Sequence, residues 1–598
     1  MDKLSLFEIL FSKDEDAQET GTAVKKQFFS REFSGSVTKQ LKRLLSLRVF
    51  RFARAASYLL SHISTRVYGT AFLTFGMISA LMYFLKLSAD ATIATPIIGL
   101  VLSLLSIPFL LADKPLPIVL QDFVITDYIF FDLFCMKRHT VMEEDKNFPI
   151  LGAVVIGLVP AVLSAFLPLW QIALAIGVVV FVYVSMESPE FIFLASLFAL
   201  PYLRLIPHFD IILACAVIIG VLSFLRKVLY GKRAIYIEQY DIVIGVMLLF
   251  VLISGVFVKG IESFSGSVRM IVFALGYILA GNIITNRRLA DRTVISVIMS
   301  GVTASIVSVT QLIVLLINNK GIVDTAKLDI LLARADGMTV FFITAVIFSF
   351  GLIGQSQMPA KAGYVSSAVI CLLGLLLTGE VFALWAVILS FLAYLVIKSN
   401  KLVFVILPVL LICAVLPLLL PGGVLDVMFY YSPSVISAEE MFSLWQGSLE
   451  VFAHNLFVGI GIGSESFVEE MAGVGIFSYP DSSNLFIELG LEAGVFALLC
   501  LLLLLITRLR HRAVQYMYVR NSQIEIISGI SGACLFALMA FGMVNYIWSD
   551  ISAYYLFWCL FGIGSAALRV AKRDYDDQVV YYEETSAHDA SVIDIEIG

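Results

Sequence analysis

The sequence predicts an all-α fold, a polytopic membrane helix bundle of about 14–16 transmembrane helices, and three observations carry that expectation. First, 60% of the 598 residues are hydrophobic and only 14% are charged, against roughly 25% charged in soluble domains; mean hydropathy is +0.95. Second, the apolar residues fall in runs long enough to cross a bilayer as helices, separated by short polar or proline-bearing joints. Third, Lys and Arg collect in alternate joints, as they do on the cytoplasmic side of membrane proteins. The net charge of −6 has no bearing on topology, which follows the basic residues flanking each span.

Residues 1–66 are polar and then basic, with Lys39, Lys42, Arg43, Arg48, Arg51 and Arg54 interleaved with leucine and phenylalanine. They form a cytoplasmic basic, amphipathic region, suited either to a membrane surface or to fixing topology. No short basic and apolar leader opens the chain, so no cleaved signal peptide is expected. The membrane domain spans 67–568. Apolar runs at 69–87 and 92–111 precede a mixed segment holding Lys114, Lys137, Arg138 and Lys146, which is placed inside. Runs at 149–167, 170–186, 190–206 and 209–225 are punctuated by Pro168, Pro189 and Pro207, residues that end helices. Arg226, Lys227, Lys232 and Arg233 bring the chain back inside before runs at 241–258, 270–285 and 293–317. Four more runs, 339–354, 364–378, 381–397 and 402–420, lead to a large outer loop at 421–483. Two final runs, 526–546 and 551–568, follow the helix that starts near Asn484, so both termini are cytoplasmic. The last segment, 569–598, is an acidic cytoplasmic tail whose composition predicts disorder. Six of seven cysteines lie in apolar runs, which points to no disulfide or metal framework.

The stretch Asp481–Gly494 is chemically the most distinctive. Asp481, Ser482 and Ser483 supply oxygens that can accept first-turn N–H groups, specifying a helix start near Asn484. Asn484, Glu488 and Glu492 recur at i, i+4 and i+8, so a polar stripe runs down an otherwise apolar helix. Gly490 and Gly494 lie nearly opposite and predict close approach of another helix. An uncompensated acid deep in a bilayer costs roughly 2.5–3.5 kcal/mol and usually faces a cavity, a partner or a substrate path. Glu488 is therefore a candidate functional acid, with dipole-favoured acids at a helix start as the plainer alternative.

Cations in outer segments run against the topology bias. Arg334, with Lys320 and Lys327, lies in the outer segment 318–338, and Arg269 lies in another, at SGSVRM. An arginine there suits a phosphate, because its planar fork binds two oxygens at once, although a solvated or snorkelling side chain is the alternative. In the large loop an amphipathic helix is predicted from about Ala438 to Phe452, lying along the membrane surface. The glycines at 459, 461 and 463 lack the lysine and strand of a nucleotide loop, so nucleotide binding is rejected and no nucleic-acid partner is expected.

The large late outer loop, its Trp-bearing helix, the NLFVGIG stretch and Asn484 followed by nine residues and Gly494 resemble the O-antigen ligase and polymerase superfamily. The resemblance is densest over 429–494 and extends to RADGM at 334–338, to LLTG at 376–379 and to Asp550, Tyr555, Trp558 and Gly562. It implies a GT-C-like fold in a bacterial cytoplasmic membrane and a metal-independent glycosyltransferase with no cofactor. The implied partners are a polyprenyl-pyrophosphate-linked glycan donor, a glycan acceptor and membrane lipids. Arg334, and second to it Arg269, would hold the pyrophosphate. Asp481, Ser483, Asn484 and Glu488 would form the catalytic side. Ser483 stands where the superfamily's ligases have His, which favours a polymerase over a ligase. Glu380 and Val381 stand where many members have Ser-Arg, and the family's Arg shortly before the loop Trp is absent. A lipid-linked sugar flippase, or a non-catalytic member of the superfamily, are the alternative functions.

Overall fold

The computed structural model describes residues 64–85, 94–111, 114–133, 150–167, 171–172, 188–203, 205–206, 209–229, 235–258, 261–319, 325–335, 337–354, 358–398, 437–476, 479–516 and 523–596. The N-terminal basic region, the expected runs at 170–186 and 402–420 and the loop from 421 to 436 lie outside these residues, apart from a few at their edges. Every regular element described is helical, so the chain is a polytopic helical membrane protein. Among the described residues, eight helices are long and apolar enough to cross a bilayer, and six shorter apolar helices accompany them.

The chain divides into two compact units. The first carries α1 (Thr65–Phe84), α2 (Ala94–Leu111) and α3 (Ile150–Leu163), with α1 packed on both others. Without a hydrophobic drive between helices in lipid, such packing depends on small residues that let backbones approach. Gly76 of α1 lies against the backbone of Gly99 in α2, and Gly157 of α3 lies against that of Ala71 in α1.

The second unit holds α4 (Pro189–Leu203), α5 (Phe209–Leu229), α6 (Gln239–Phe257), α7 (Ile261–Ile283) and α8 (Arg287–Asn318). It continues through α9 (Met338–Ile353), α10 (Ala360–Thr378) and α11 (Val381–Lys398) to the amphipathic α12 (Ala438–His454) and α13 (Ser464–Gly473). It ends with α14 (Leu485–Tyr516), α15 (Gln523–Phe541) and α16 (Ile551–Glu596). Pro189 opens α4 instead of closing a helix, which suits its fixed φ and missing N–H. The organising helix is α16: every residue from Ser552 to Leu568 is buried. It reaches α7 closely because Gly276 leaves room for Tyr555, and Gly562 meets the Tyr277 carbonyl and Ala280. The helix then runs to Glu596, through a tail whose composition predicts disorder.

Helix ends that the alternation of basic joints puts on one side do meet. At one end, Arg569 of α16 donates to Glu238 at 3.0 Å and to the Ile284 carbonyl at 3.3 Å, stacking over Tyr236. Nearby, Tyr277 donates to Asp241 at 2.6 Å, and buried Arg508 of α14 reaches Ser565 and Ser528, each at 3.3 Å. Burial pushes the Glu238 carboxyl above its ordinary range, and Arg569 opposes that shift. The opposite ends gather α12, α13, the start of α14 and the segment 542–550.

Candidate functional site

Asn484 starts α14 as its cap: its Oδ1 accepts the N–H groups of Phe486 at 2.9 Å and Ile487 at 3.2 Å, an arrangement worth about 1 kcal/mol. Its Nδ2 donates to the Met543 carbonyl at 2.8 Å, and the Leu485 N–H donates to the Gly542 carbonyl at 2.7 Å. The helix start is thus pinned to the segment between α15 and α16.

The preceding residues form a tight loop. Asp481 Oδ1 accepts the Ser483 N–H at 2.8 Å, so it closes a local turn and leaves helix capping to Asn484. Ser483 is held at φ 51°, a left-handed conformation that costs a non-glycine residue roughly 1–2 kcal/mol. What holds it there is visible next door. Buried Glu488 accepts the Ser482 N–H at 2.7 Å, and Trp445 of α12 donates from its indole to the Ser482 carbonyl at 3.1 Å. The loop helix α12 is therefore fastened to the start of α14 through one residue, Ser482.

One turn further in, buried Glu492 accepts the Tyr546 hydroxyl at 2.7 Å and the Gly463 N–H at 3.3 Å. Two buried acids thus each face a main-chain N–H, which is how such groups are accommodated away from water. Asp481 differs, because it is half-buried and accepts its hydrogen bond from its own turn. Burial pushes its carboxyl above the ordinary value of 3.8, with the Ser483 bonds opposing.

The glycines depart from the expected stripe. Gly490 fits it, since a Cβ there would come within 3.2 Å of the Phe452 ring on α12. Gly494 has φ 79° and ψ 173°, so it interrupts α14 and packs against the Phe457 carbonyl of a loop, not against a helix. The broken ladder is completed from outside the helix. Ile460 N–H donates to the Leu491 carbonyl at 2.7 Å, Val495 N–H donates to the Leu456 carbonyl at 2.8 Å, and Ser254 bonds the Glu492 carbonyl. Only glycine tolerates that backbone. Gly494→Ala is expected to cost at least about 2 kcal/mol, read as a lower thermal unfolding midpoint in detergent, whereas Gly490→Ala, which meets a movable ring, should cost less.

The candidate arginines take different positions. Arg334 closes a 3-10 turn, Leu332–Arg334, just before α9, and lies 3.4 Å from Asp329. Gly337, at φ 72°, caps α9 where a side chain would collide with the Asp550 carboxylate. The segment 542–550 therefore touches both the Arg334 loop, through Asp550, and the acid stripe, through Tyr546 and the Asn484 contacts. Arg269 is not in an outer loop: it sits in the third turn of α7 and reaches Asp210 at 3.8 Å. The fault was in the expected start of that run, since SGSVRM is polar but Ser and Gly sit easily in a membrane helix. No contact joins Arg269 to Arg334 among the described residues.

Residue reading alone did not single out Tyr546 or Ser254, and it marked Gly463 only as one of three glycines without the setting of a nucleotide loop. Tyr546 had a signal, a polar NYIWSD segment between two apolar runs. Gly463 and Ser254 act through main-chain or carbonyl bonds, which leave no mark in side-chain spacing.

No curated protein matches the chain. Residues 366–502 match the family model described as O-antigen ligase. That stretch takes in most of α10, the large loop and Asp481, Ser483, Asn484, Glu488, Gly490 and Gly494, and leaves out Arg334, Arg269 and Tyr546. The family points to a ligase-like or polymerase-like role in polysaccharide biosynthesis, with lipid-linked glycan substrates and a glycan acceptor. The match over residues 366–502 supports placing this part of the chain with the O-antigen ligase and polymerase superfamily.

Proposed function

We propose that the protein is a polymerase of polyprenyl-pyrophosphate-linked oligosaccharide units, acting at the outer face of a bacterial cytoplasmic membrane with both termini inside. One observation carries this: the family-matched stretch contains a rigidly held loop, Asp481–Asn484, that presents a half-buried carboxylate at the mouth of a span. Asp481 accepts the proton of the acceptor hydroxyl as its oxygen attacks the anomeric carbon of the donor glycan. The bond from that carbon to the pyrophosphate breaks, and polyprenyl pyrophosphate leaves with its charge held by Arg334. Glu488, tied to the Ser482 N–H, fixes the loop and is less suited to trade protons with a substrate. Arg269 of α7, paired with Asp210 of α5, plays a lesser part.

Purified protein supplied with lipid-linked repeat units tests this reading. Longer lipid-linked glycan should form together with an equal amount of released polyprenyl pyrophosphate. A flippase would move the lipid across vesicles and yield neither product. A non-catalytic relative would do none of these things.

A further inference from the structure

Glu492 lies outside the reacting groups, yet it gathers more segments than any residue named for the reaction. Its Oε2 accepts the Tyr546 hydroxyl at 2.7 Å and its Oε1 accepts the Gly463 N–H at 3.3 Å. Its own carbonyl receives the Ser254 hydroxyl and has Gly459 pressed against it. The side chain is buried, 3% exposed, so it does not reach a substrate in solvent. One turn above it, Glu488 holds the loop that carries Asp481. Beyond Tyr546, the same segment ends at Asp550, which packs on Gly337 beside the Arg334 turn.

We infer that Glu492 is a positioning residue: it fixes the segment 542–550 against α14 and the glycine run 459–463, and so sets the Arg334 side of the site relative to the Asp481 side. This rests on the glycosyl-transfer reading given above. A reaction between two bound substrates depends on such registration, and a misplacement of about 1 Å can cost roughly 100-fold in rate. Substrate binding at either wall alone does not need it. The effect should therefore fall on kcat and spare KM for the lipid-linked donor.

Glutamine can reproduce both ties, its carbonyl accepting the Gly463 N–H and its amide donating to the Tyr546 oxygen. In the chain-extension assay, Glu492→Ala should lower kcat by roughly 10- to 100-fold with donor KM within about twofold. Glu492→Gln should stay within about threefold of the native rate, and Tyr546→Phe, which removes one tie, should fall between them. Spin labels at exposed Glu469 and Ser549, introduced through a bio-orthogonal amino acid, give a readout that needs no turnover. Their distance distribution should be narrow in the native protein and in Glu492→Gln, and broader in Glu492→Ala and Tyr546→Phe. Should Glu492→Ala fail to insert, the Tyr546→Phe and Glu492→Gln pair carries the comparison. An unaltered kcat and distance in Glu492→Ala or Tyr546→Phe overturns the inference, as does a Glu492→Gln variant as slow as the alanine. A native protein that forms no polymer defeats the glycosyl-transfer reading alone, because the label distances still report on the tie.

Discussion

Replacing Arg334 with Ala should abolish chain extension while the protein accumulates normally in the membrane. Its present partner is a weak one: the Nη1 to Asp329 distance is 3.4 Å, and the Asp329 side chain is 73% exposed. Exposed pairs of this kind contribute about 0–1 kcal/mol, so little stability is lost with the side chain. The guanidinium has capacity to spare, since its buried Nε has no hydrogen-bond partner. A pyrophosphate arriving there gains charge-assisted, two-pronged bonds that strengthen as the leaving group takes on negative charge. Losing one such electrostatic donor costs roughly 100- to 1,000-fold in rate in other enzymes. Arg334→Lys should recover part of that, because lysine keeps the charge and loses the fork. Arg269→Ala should do less harm than Arg334→Ala, because Arg269 lies in the third turn of α7 and not in the turn before α9 that borders Gly337 and Asp550. Polymer length by gel and membrane abundance by immunoblot measure both effects. Unchanged polymer length in Arg334→Ala would remove Arg334 from the mechanism.

The bundle was legible because its signal is additive. Apolar runs and basic joints each repeat many times, and a misplaced boundary at one joint leaves the alternation intact. The pattern erred where residue type is indifferent to environment, as at SGSVRM, where small polar residues proved to be the first turns of α7 and carried Arg269 into it. The stripe Asn484, Glu488, Glu492 was legible from spacing, and all three prove buried. Their partners were not, because Ser482 N–H, Gly463 N–H and the Met543 carbonyl are backbone groups present at every residue. Gly494 shows the limit most clearly. Its spacing from Gly490 fits a helix-packing stripe, whereas its φ of 79° makes it a break, and a glycine's identity permits both.

Asp481 should show opposite effects on activity and stability, and that opposition separates a catalytic base from a structural carboxylate. Burial raises its carboxyl above the ordinary 3.8. The reactive form is the carboxylate, so the rate should climb with pH through that raised value. The acidic limb of the pH profile should accordingly lie above the ordinary aspartate value. For stability the sign is reversed: a group whose folded pKa is raised contributes below its unfolded pKa, and the contribution is lost as pH rises through the folded value. At neutral pH the ionised Asp481 is thus a net cost to the fold. Asp481→Asn removes that charge and keeps an oxygen for the Ser483 N–H, now accepted at 2.8 Å. The variant should unfold at an equal or higher temperature than the native protein at neutral pH. Its rate should fall by roughly 100- to 10,000-fold, the usual contribution of a positioned general base, and its acidic limb should vanish. If Asp481→Asn keeps both the rate and the limb, the proton goes elsewhere, and Glu488, the other acid bonded to this loop, becomes the group to replace.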